Sequence, residues 1–185
     1  LGREVALKFL GNEVAGDPEA VADLQRETRR SLELTHPNIV RVYDYVEDPE
    51  RRLVGISMEL LTGRSLQMLK LEQPQRAFMP EKVLPWLRQI CVALDYAHQV
   101  VGVVHRDLKP GNLFLNDKGV VKIVDFGIAM VMRDSTSRLV QEARLSKSGT
   151  LAYMSQQQLK GDKPTPADDL YALGAVMYEL FTSKP

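Results

Sequence analysis

The pattern of apolar and polar positions predicts strands in the first third of the chain. Residues 4–10 alternate strictly, which places Ala6 and Lys8 on the face opposite the larger apolar side chains. Residues 39–46 and 53–60 are rich in β-branched and aromatic side chains and enclose a short polar turn. Two such runs joined by a turn predict a β-hairpin.

Helical spacing predominates in the remainder, and one helix is also predicted between the first two strands, over residues 18–34. Further helices are predicted over 81–100 and 166–182, and short strands over 113–115 and 120–124. In the helix over 81–100, the residues expected along the apolar stripe are Leu84, Leu87, Cys91, Leu94 and His98. In the last helix, those expected to be buried are Leu170, Leu173, Met177 and Leu180.

Composition and charge argue against several classes of protein. The 185 residues carry 24 Lys and Arg against 24 Asp and Glu, and this zero net charge is untypical of a general nucleic-acid binder. No apolar run reaches the roughly 18 residues of a membrane-spanning helix. The single cysteine, Cys91, excludes an internal disulfide and a cysteine cluster for zinc, so a cytoplasmic location is expected.

Three short motifs, in a fixed order along the chain, carry the chemistry. His-Arg-Asp-Leu-Lys-Pro-Gly-Asn stands at 105–112, Asp-Phe-Gly at 125–127 and Val-Ala-Leu-Lys at 5–8. They match the catalytic loop, the metal-binding motif and the strand lysine motif of protein kinases. The chain therefore resembles the protein kinases over essentially its whole length, and among them the bacterial, eukaryotic-like Ser/Thr kinases.

The resemblance implies an α+β, bilobal fold with a small β-rich lobe over 1–58, a hinge over 59–63 and a mainly helical lobe over 64–185. It also implies an ATP-dependent protein serine/threonine kinase, which transfers the γ-phosphate of ATP to hydroxyl groups of proteins. No Gly-rich strand pair precedes Val5, and the chain stops soon after the helix that bears Asp169. We therefore expect a catalytic domain that is cut at both ends.

Phosphoryl transfer from ATP requires cations, because the substrate is highly anionic and catalysis depends mainly on positioning and charge stabilisation. By the resemblance, Lys8 neutralises the α- and β-phosphates. Glu27, on the following helix, is expected to hold Lys8 in place, and Glu33 and Glu19 are the competing candidates for that anion.

The catalytic loop and the metal-binding motif supply the remaining groups that the resemblance implies. Asp107 accepts or orients the proton of the substrate hydroxyl, and Lys109 stabilises the transferring phosphate. Asn112 and Asp125 provide oxygen ligands for Mg²⁺, which takes few protein ligands. His105 packs and hydrogen-bonds beneath the loop, and it has no catalytic role.

The adenine site that the resemblance implies lies where residues 53–58 run into the hinge. The backbone of Glu59 and Leu61 would hydrogen-bond the base, and Met58 would lie behind it. The apolar walls of this site would be Ala6, Phe114 and Val124.

Two details of the resemblance indicate the class of substrate. Lys109 and the run over 149–153 are typical of Ser/Thr rather than Tyr kinases. Arg106 commonly meets a phosphorylated loop in this family. Residues 128–150 show no clear period and are predicted to form that loop, whose candidate phosphorylation sites are Ser135, Thr136, Ser137, Ser146 and Ser148.

Two other interpretations stay open. Ser155-Gln156-Gln157 stands where the family usually has Ala-Pro-Glu, which puts the anchoring of this segment in doubt. This feature favours a pseudokinase-like module that binds nucleotide or a partner without turnover, and the other alternative is an inactive truncated fragment. The expected partners are proteins with Ser or Thr acceptors, including a dimer of the parent protein that autophosphorylates in trans. A membrane anchor of the parent would lie outside this chain.

Overall fold

The computed structural model describes residues 2, 4–9, 18–48, 50–51, 53–126 and 150–184. The side chains of residues 18–20, 23, 24, 27 and 150 also lie outside the description.

A three-stranded antiparallel sheet forms the N-terminal part of the fold. Its strands β1 (Val5–Phe9), β2 (Val42–Asp48) and β3 (Leu53–Glu59) lie in the order β1-β3-β2, and helix α1 (Pro18–Glu33) follows β1. β2 and β3 pair as the predicted hairpin, and β3 is the central strand because β1 pairs with its other edge.

A second, smaller sheet begins the remainder of the fold. It consists of β4 (Arg64–Ser65), β5 (Leu113–Leu115) and β6 (Val121–Ile123), in that order. Ile39, which precedes β2, forms an isolated parallel bridge with Ile123. Backbone hydrogen bonds therefore join the segment that leads into the first sheet to the last strand of the second.

Helices make up most of the described chain after the hinge. They are α2 (Leu66–Leu71), α3 (Pro80–Asp95) with its π-helical continuation Tyr96–Val101, α4 (Gln156–Lys160) and α5 (Pro166–Thr182). The two short helices are not predicted by the apolar pattern, because one or two turns contain too few residues to show a period. Each begins at a serine whose side chain accepts a backbone N–H of the first turn, Ser65 for α2 and Ser155 for α4.

The main hydrophobic core lies where α3, α5 and the second sheet meet, and it includes Val83, Trp86, Ile90, Leu94, Leu113, Ile123, Val176 and Leu180. A smaller cluster, made of Val40, Val54, Ile56 and Met58, belongs to the first sheet. The strand-rich first part and the mainly helical remainder confirm the predicted α+β class.

The predicted buried stripe of α3 is wrong at two positions. Leu84 is 50% exposed and Cys91 is exposed, whereas Leu94 is buried as expected and His98 is partly buried, with a side chain that is 5% exposed. The buried face instead passes through Val83, Trp86, Ile90, Ala93 and Ala97. Apolar residues occupy two adjacent stripes of this helix, so their spacing alone does not decide which stripe faces the core.

The prediction for α5 is wrong at its first position. Leu170 is 59% exposed, whereas Leu173 and Leu180 are buried and Met177 is partly buried. The residue buried in place of Leu170 is Asp169, at 0% exposure. Apolar periodicity cannot identify a buried aspartate. Asp169 is buried because groups in the interior donate hydrogen bonds to its carboxylate.

Gly63 connects the end of β3 to β4 in a conformation that suits glycine, with φ of 133°. A Cβ atom here would lie 2.4 Å from the carbonyl oxygen of Leu115 and 2.9 Å from Cα of Asn116. We expect Gly63→Ala to lower the free energy of unfolding by about 3 kcal/mol, because backbone strain and steric overlap both act on this connection. Urea denaturation measures the change.

Gly174→Ala is the matched control, because a Cβ at this position of α5 has nothing within 4 Å. It should stabilise the protein by up to about 1 kcal/mol, the gain of alanine over glycine in a helix. Equal stability of G63A and the wild type would contradict the assigned geometry of the connection.

Candidate active site

One buried carboxylate holds residues 105–112, the predicted catalytic loop. Asp169, in the first turn of α5, accepts hydrogen bonds from the backbone N–H of His105 at Oδ2 and of Arg106 at Oδ1, both at 2.8 Å. His98, in the π-helical stretch after α3, donates from Nε2 to Oδ2 at 2.7 Å. The start of the loop is therefore fixed relative to two helices at once.

The environment of Asp169 favours its charged form. Burial alone would raise the pKa of this carboxyl, but the hydrogen bond from His98 and the two backbone N–H donors outweigh that effect, so its pKa lies below the ordinary value. A negative charge in the first turn of α5 also interacts favourably with the helix dipole.

Two residues of the site have left-handed backbone conformations, Arg106 with φ of 70° and Asp125 with φ of 65°. Such a conformation costs roughly 1–3 kcal/mol in a residue other than glycine and persists only where surrounding contacts fix it. At Arg106, Asp169 binds the N–H, and Gln158 of α4 donates from Nε2 to the carbonyl oxygen at 2.9 Å. Contacts from two helices therefore maintain this strained peptide.

Asp107, Lys109 and Asn112 form one hydrogen-bonded group. Lys109 Nζ lies 2.9 Å from Asp107 Oδ2. Asn112 donates from Nδ2 to the backbone oxygen of Asp107 at 2.8 Å and to its Oδ2 at 3.2 Å. A cation and an amide thus orient a carboxylate whose side chain is only 10% exposed. In this arrangement Asp107 can accept a hydrogen bond from a hydroxyl group.

Asp125 follows β6 and lies beside the catalytic loop. The N–H of Val124 donates to the carbonyl oxygen of Asn112 at 3.0 Å, and His105 donates from Nε2 to the carbonyl oxygen of Val124 at 2.8 Å. Lys8 of β1 places Nζ 2.6 Å from Asp125 Oδ1. The structure therefore brings Lys8 and Asp125 together at the edge of the loop, and His105 lies beneath it as predicted, with 0% exposure.

The predicted partner of Lys8, Glu27, belongs to α1, but its side chain lies outside the described residues. Asp125 is the ion partner of Lys8 in the described part of the chain. The pairing with Glu27 therefore stays a prediction. Also outside the description are Gly127, the side chain of Thr150 and the candidate phosphorylation sites Ser135, Thr136, Ser137, Ser146 and Ser148.

The residues predicted to surround adenine form two neighbouring groups. Met58 is 8% exposed within the cluster of the first sheet, and Ala6 and Val124 pack against the same cluster. Leu61 also packs there, which joins this cluster to the hinge. The cleft at the hinge is lined by Glu59, Leu60, Leu61, Thr62, Phe114, Asn116 and Lys122.

An ion pair that sequence reasoning missed holds the hinge. Lys122 Nζ of β6 lies 2.8 Å from Glu59 Oε2, and the N–H of Arg41 donates to the same oxygen at 3.2 Å. The N–H of Glu59 donates in turn to the carbonyl oxygen of Arg41 at 2.8 Å. These bonds fix the residue whose backbone is the predicted adenine contact. A lone lysine on a strand carries no sequence signal for such a role.

The donor set around Asp125 fits a magnesium ion. Mg²⁺ binds oxygen ligands and uses one or two carboxylates together with phosphates and water. Asp125 offers a carboxylate, and Asn112 offers its amide oxygen because its Nδ2 is bound to Asp107. Across the described ranges, no three His, Cys, Asp or Glu side chains come together as metal ligands.

Residues 150–160 follow residues 127–149, which lie outside the description, and they contact α5 and residues 105–112. Gln157, which replaces the usual glutamate, is exposed. Ser155 is buried, caps α4 and donates from Oγ to Asp168. Gln158 binds the catalytic loop, as described above. The residues on either side of Gln157, Ser155 and Gln158, therefore attach this segment to α5 and to residues 105–112.

A buried ion pair completes the attachment of this segment. Lys70 of α2 pairs with Glu179 of α5, and their side chains are 9% and 8% exposed. Tyr153 donates its hydroxyl to the same carboxylate. Burial and this hydrogen bond raise the pKa of Tyr153, so the phenol keeps its proton and remains a donor.

Comparison with known proteins assigns the family. The protein kinase domain family matches residues 1–185, and the chain therefore belongs to the protein kinases. This confirms the resemblance stated from its motifs.

Similar proteins bear the names of serine/threonine kinases. A probable serine/threonine-protein kinase of Streptomyces coelicolor is 41% identical over 187 residues, which cover 100% of this chain and 27% of that protein. Serine/threonine-protein kinase PknB of Mycobacterium tuberculosis is 37% identical over 188 residues, which cover 100% of this chain and 29% of that protein. The chain thus spans less than a third of these relatives.

Solved kinase domains share the fold. The PknI kinase domain of Mycobacterium tuberculosis matches with a TM-score of 0.77 and 28% identity, over 98% of this chain and 64% of that domain. The likeness confirms the predicted kinase-type fold, while the lobe boundaries at 58 and 64 stay predictions.

We expect Asp169→Asn to lower the free energy of unfolding by about 3 kcal/mol at neutral pH, because loss of the charge weakens three buried hydrogen bonds. The pKa of Asp169 is lower in the folded than in the unfolded state. Its contribution is therefore complete above about pH 4 and is lost as the pH falls through the folded-state pKa. Urea unfolding of both proteins at a series of pH values should show a difference that shrinks in acid.

Asp162→Asn, a change at an exposed aspartate, serves as the control and should match the wild type throughout. A deficit of D169N that persists unchanged in acid would contradict a charged Asp169.

Proposed function

We propose that this chain is the catalytic part of an ATP-dependent protein serine/threonine kinase. The observation that carries the proposal is the hydrogen-bonded group of Asp107, Lys109 and Asn112 beside the Lys8–Asp125 ion pair. These residues come from three separate parts of the sequence, and each has the chemical type that phosphoryl transfer requires. The names of the similar proteins support the same activity.

The phosphate-binding role belongs to Lys8, whose Nζ already lies against a carboxylate at the edge of the catalytic loop. Protein kinases in general use ATP with Mg²⁺, and when bound the ion would supply positive charge against the anionic phosphates. Asn112 and Asp125 are the proposed ligands of this ion. When Asp125 ligates the metal, Glu27 of α1 is the proposed anion that holds Lys8.

The proposed acceptor group is a serine or threonine hydroxyl that donates its hydrogen bond to Asp107. Asn112 holds the Asp107 carboxylate in one orientation, so little freedom remains to be lost when the hydroxyl binds. Lys109 is the proposed contact of the phosphoryl group, and its Nζ lies 2.9 Å from the same carboxylate, which supports this role.

The adenine base is proposed to bind along the hinge. Backbone groups of Glu59 and Leu61 would hydrogen-bond it, and the Lys122 ion pair would keep the Glu59 peptide in position. The packing of the surrounding side chains supports this placement, since Ala6, Met58 and Val124 contact one cluster and Phe114 lines the hinge cleft.

The proposed partners are proteins that carry Ser or Thr acceptors, among them a second copy that is phosphorylated in trans. Lys109, in the sequence Asp-Leu-Lys-Pro, supports this substrate class. A cytoplasmic location is proposed from the cysteine content. None of the helices in the described ranges is long and apolar enough to cross a membrane.

We expect Asp107→Asn to reduce transfer of the γ-phosphate by roughly 10²- to 10⁴-fold, the usual contribution of a positioned acid–base group. The measurement is autophosphorylation of the protein that contains this chain, with radiolabelled ATP and MgCl₂. Binding of ATP should be retained, because Asp107 is proposed to bind the acceptor hydroxyl and not the nucleotide.

Asp117→Asn, which changes an exposed turn aspartate after β5, is the matched control and should label like the wild type. Equal labelling of D107N and the wild type would refute the role of Asp107. A wild type that binds ATP with Mg²⁺ but transfers no label would favour the pseudokinase-like alternative.

A further inference from the structure

We infer that Ser31 is a positioning residue for the metal ligand Asp125 and that it acts through the backbone of Phe126. The inference rests on the proposed function, because it concerns the same site. Ser31 lies on α1, and its Oγ donates to the carbonyl oxygen of Phe126 at 3.0 Å. The two residues are 1% and 2% exposed. Loss of the donor would therefore leave a buried carbonyl oxygen without this partner.

This hydrogen bond matters because its acceptor, Phe126, directly follows Asp125 in the chain. Asp125 has a left-handed backbone with φ of 65°, so the groups on both sides of it must be held. On the preceding side, the carbonyl oxygen of Val124 accepts from His105 Nε2 at 2.8 Å. On the following side, Ser31 binds the carbonyl oxygen of Phe126, whose ring also packs against His105 with centroids 4.6 Å apart. The catalytic loop and α1 therefore hold Asp125 between them.

A hydroxyl is the feature of Ser31 that matters in this arrangement. The residue lies on a buried face of α1, where an apolar side chain would gain more from burial. Its hydrogen bond makes the orientation of Asp125 depend on the position of α1. Without the bond, the Asp125–Phe126 backbone can relax toward a less strained conformation, and the carboxylate then spends less time in the orientation that ligates Mg²⁺.

Thr28, one turn earlier on α1, provides an internal comparison. It is also 1% exposed, and its Oγ1 has no hydrogen-bond partner in the described part of the chain. Removal of this hydroxyl changes the same buried helix but leaves the hydrogen bond between Ser31 and Phe126 in place. The two positions therefore separate an effect of the hydrogen bond from an effect of substitution in α1.

The experiment measures thermal unfolding of the protein that contains this chain with ADP alone and with ADP plus increasing MgCl₂. We expect Ser31→Ala to raise the Mg²⁺ concentration for half of the ADP-dependent stabilisation by about three- to tenfold, as expected for one buried hydrogen bond. The effect of ADP alone should be unchanged, because Ser31 acts on the metal ligand. A general structural defect would alter both responses.

Two variants of equal volume test the hydroxyl directly. Ser31→Thr should restore the wild-type Mg²⁺ response and Ser31→Val should not, while Thr28→Val should match the wild type. Identical curves for S31T and S31V, or a curve for S31A that coincides with the wild type, would overturn the inference. Failure of the proposed function would give a different result. The wild type itself would then show no Mg²⁺-dependent response to ADP and no phosphate transfer. That result would also refute the role of Ser31.

Discussion

The backbone amides of His105 and Arg106 both donate to Asp169, a carboxylate with 0% exposure that also binds His98. This contact sets where the catalytic loop begins. It also helps to maintain the left-handed backbone of Arg106, which precedes Asp107 in the chain. The hydrogen bonds from Asn112 and Lys109 can orient the Asp107 carboxylate only because the loop itself is already held. The geometry of the site therefore depends on a residue that would not touch the substrate.

The charges of this chain sum to zero, and two of the ion pairs that they form connect different parts of the fold. The Lys8–Asp125 pair connects β1 to the residues that follow β6, and the Lys122–Glu59 pair connects β6 to the end of β3. The first pair is partly exposed, and it joins the lysine that is proposed to bind phosphate to a proposed metal ligand. The second fixes a backbone segment instead. The same type of interaction thus joins two residues of the proposed site in one place and fixes a backbone segment in the other.

Much of the fold could be predicted, because alternation, helical spacing and motifs are local signals in the sequence. The strands of the first sheet, the extent of α5 and the residues over 105–112 all follow from such signals. The exposed Leu84 shows the limit, since periodicity defines a helix face but not which of two apolar faces meets the core. The contacts of Asp169, Ser31 and Lys122 could not be predicted, because their partners lie far away in the sequence and only the packing of distant elements brings them together.

Amide hydrogen exchange at His105 and Arg106, followed by NMR spectroscopy, tests the central role of Asp169 most directly. If this carboxylate holds the loop, both amides should exchange as slowly as the most protected amides of α3 and α5, since opening the loop would require breaking buried, charge-assisted hydrogen bonds. Exchange of either amide at the rate of an exposed loop, while the two helices remain protected, would contradict the account.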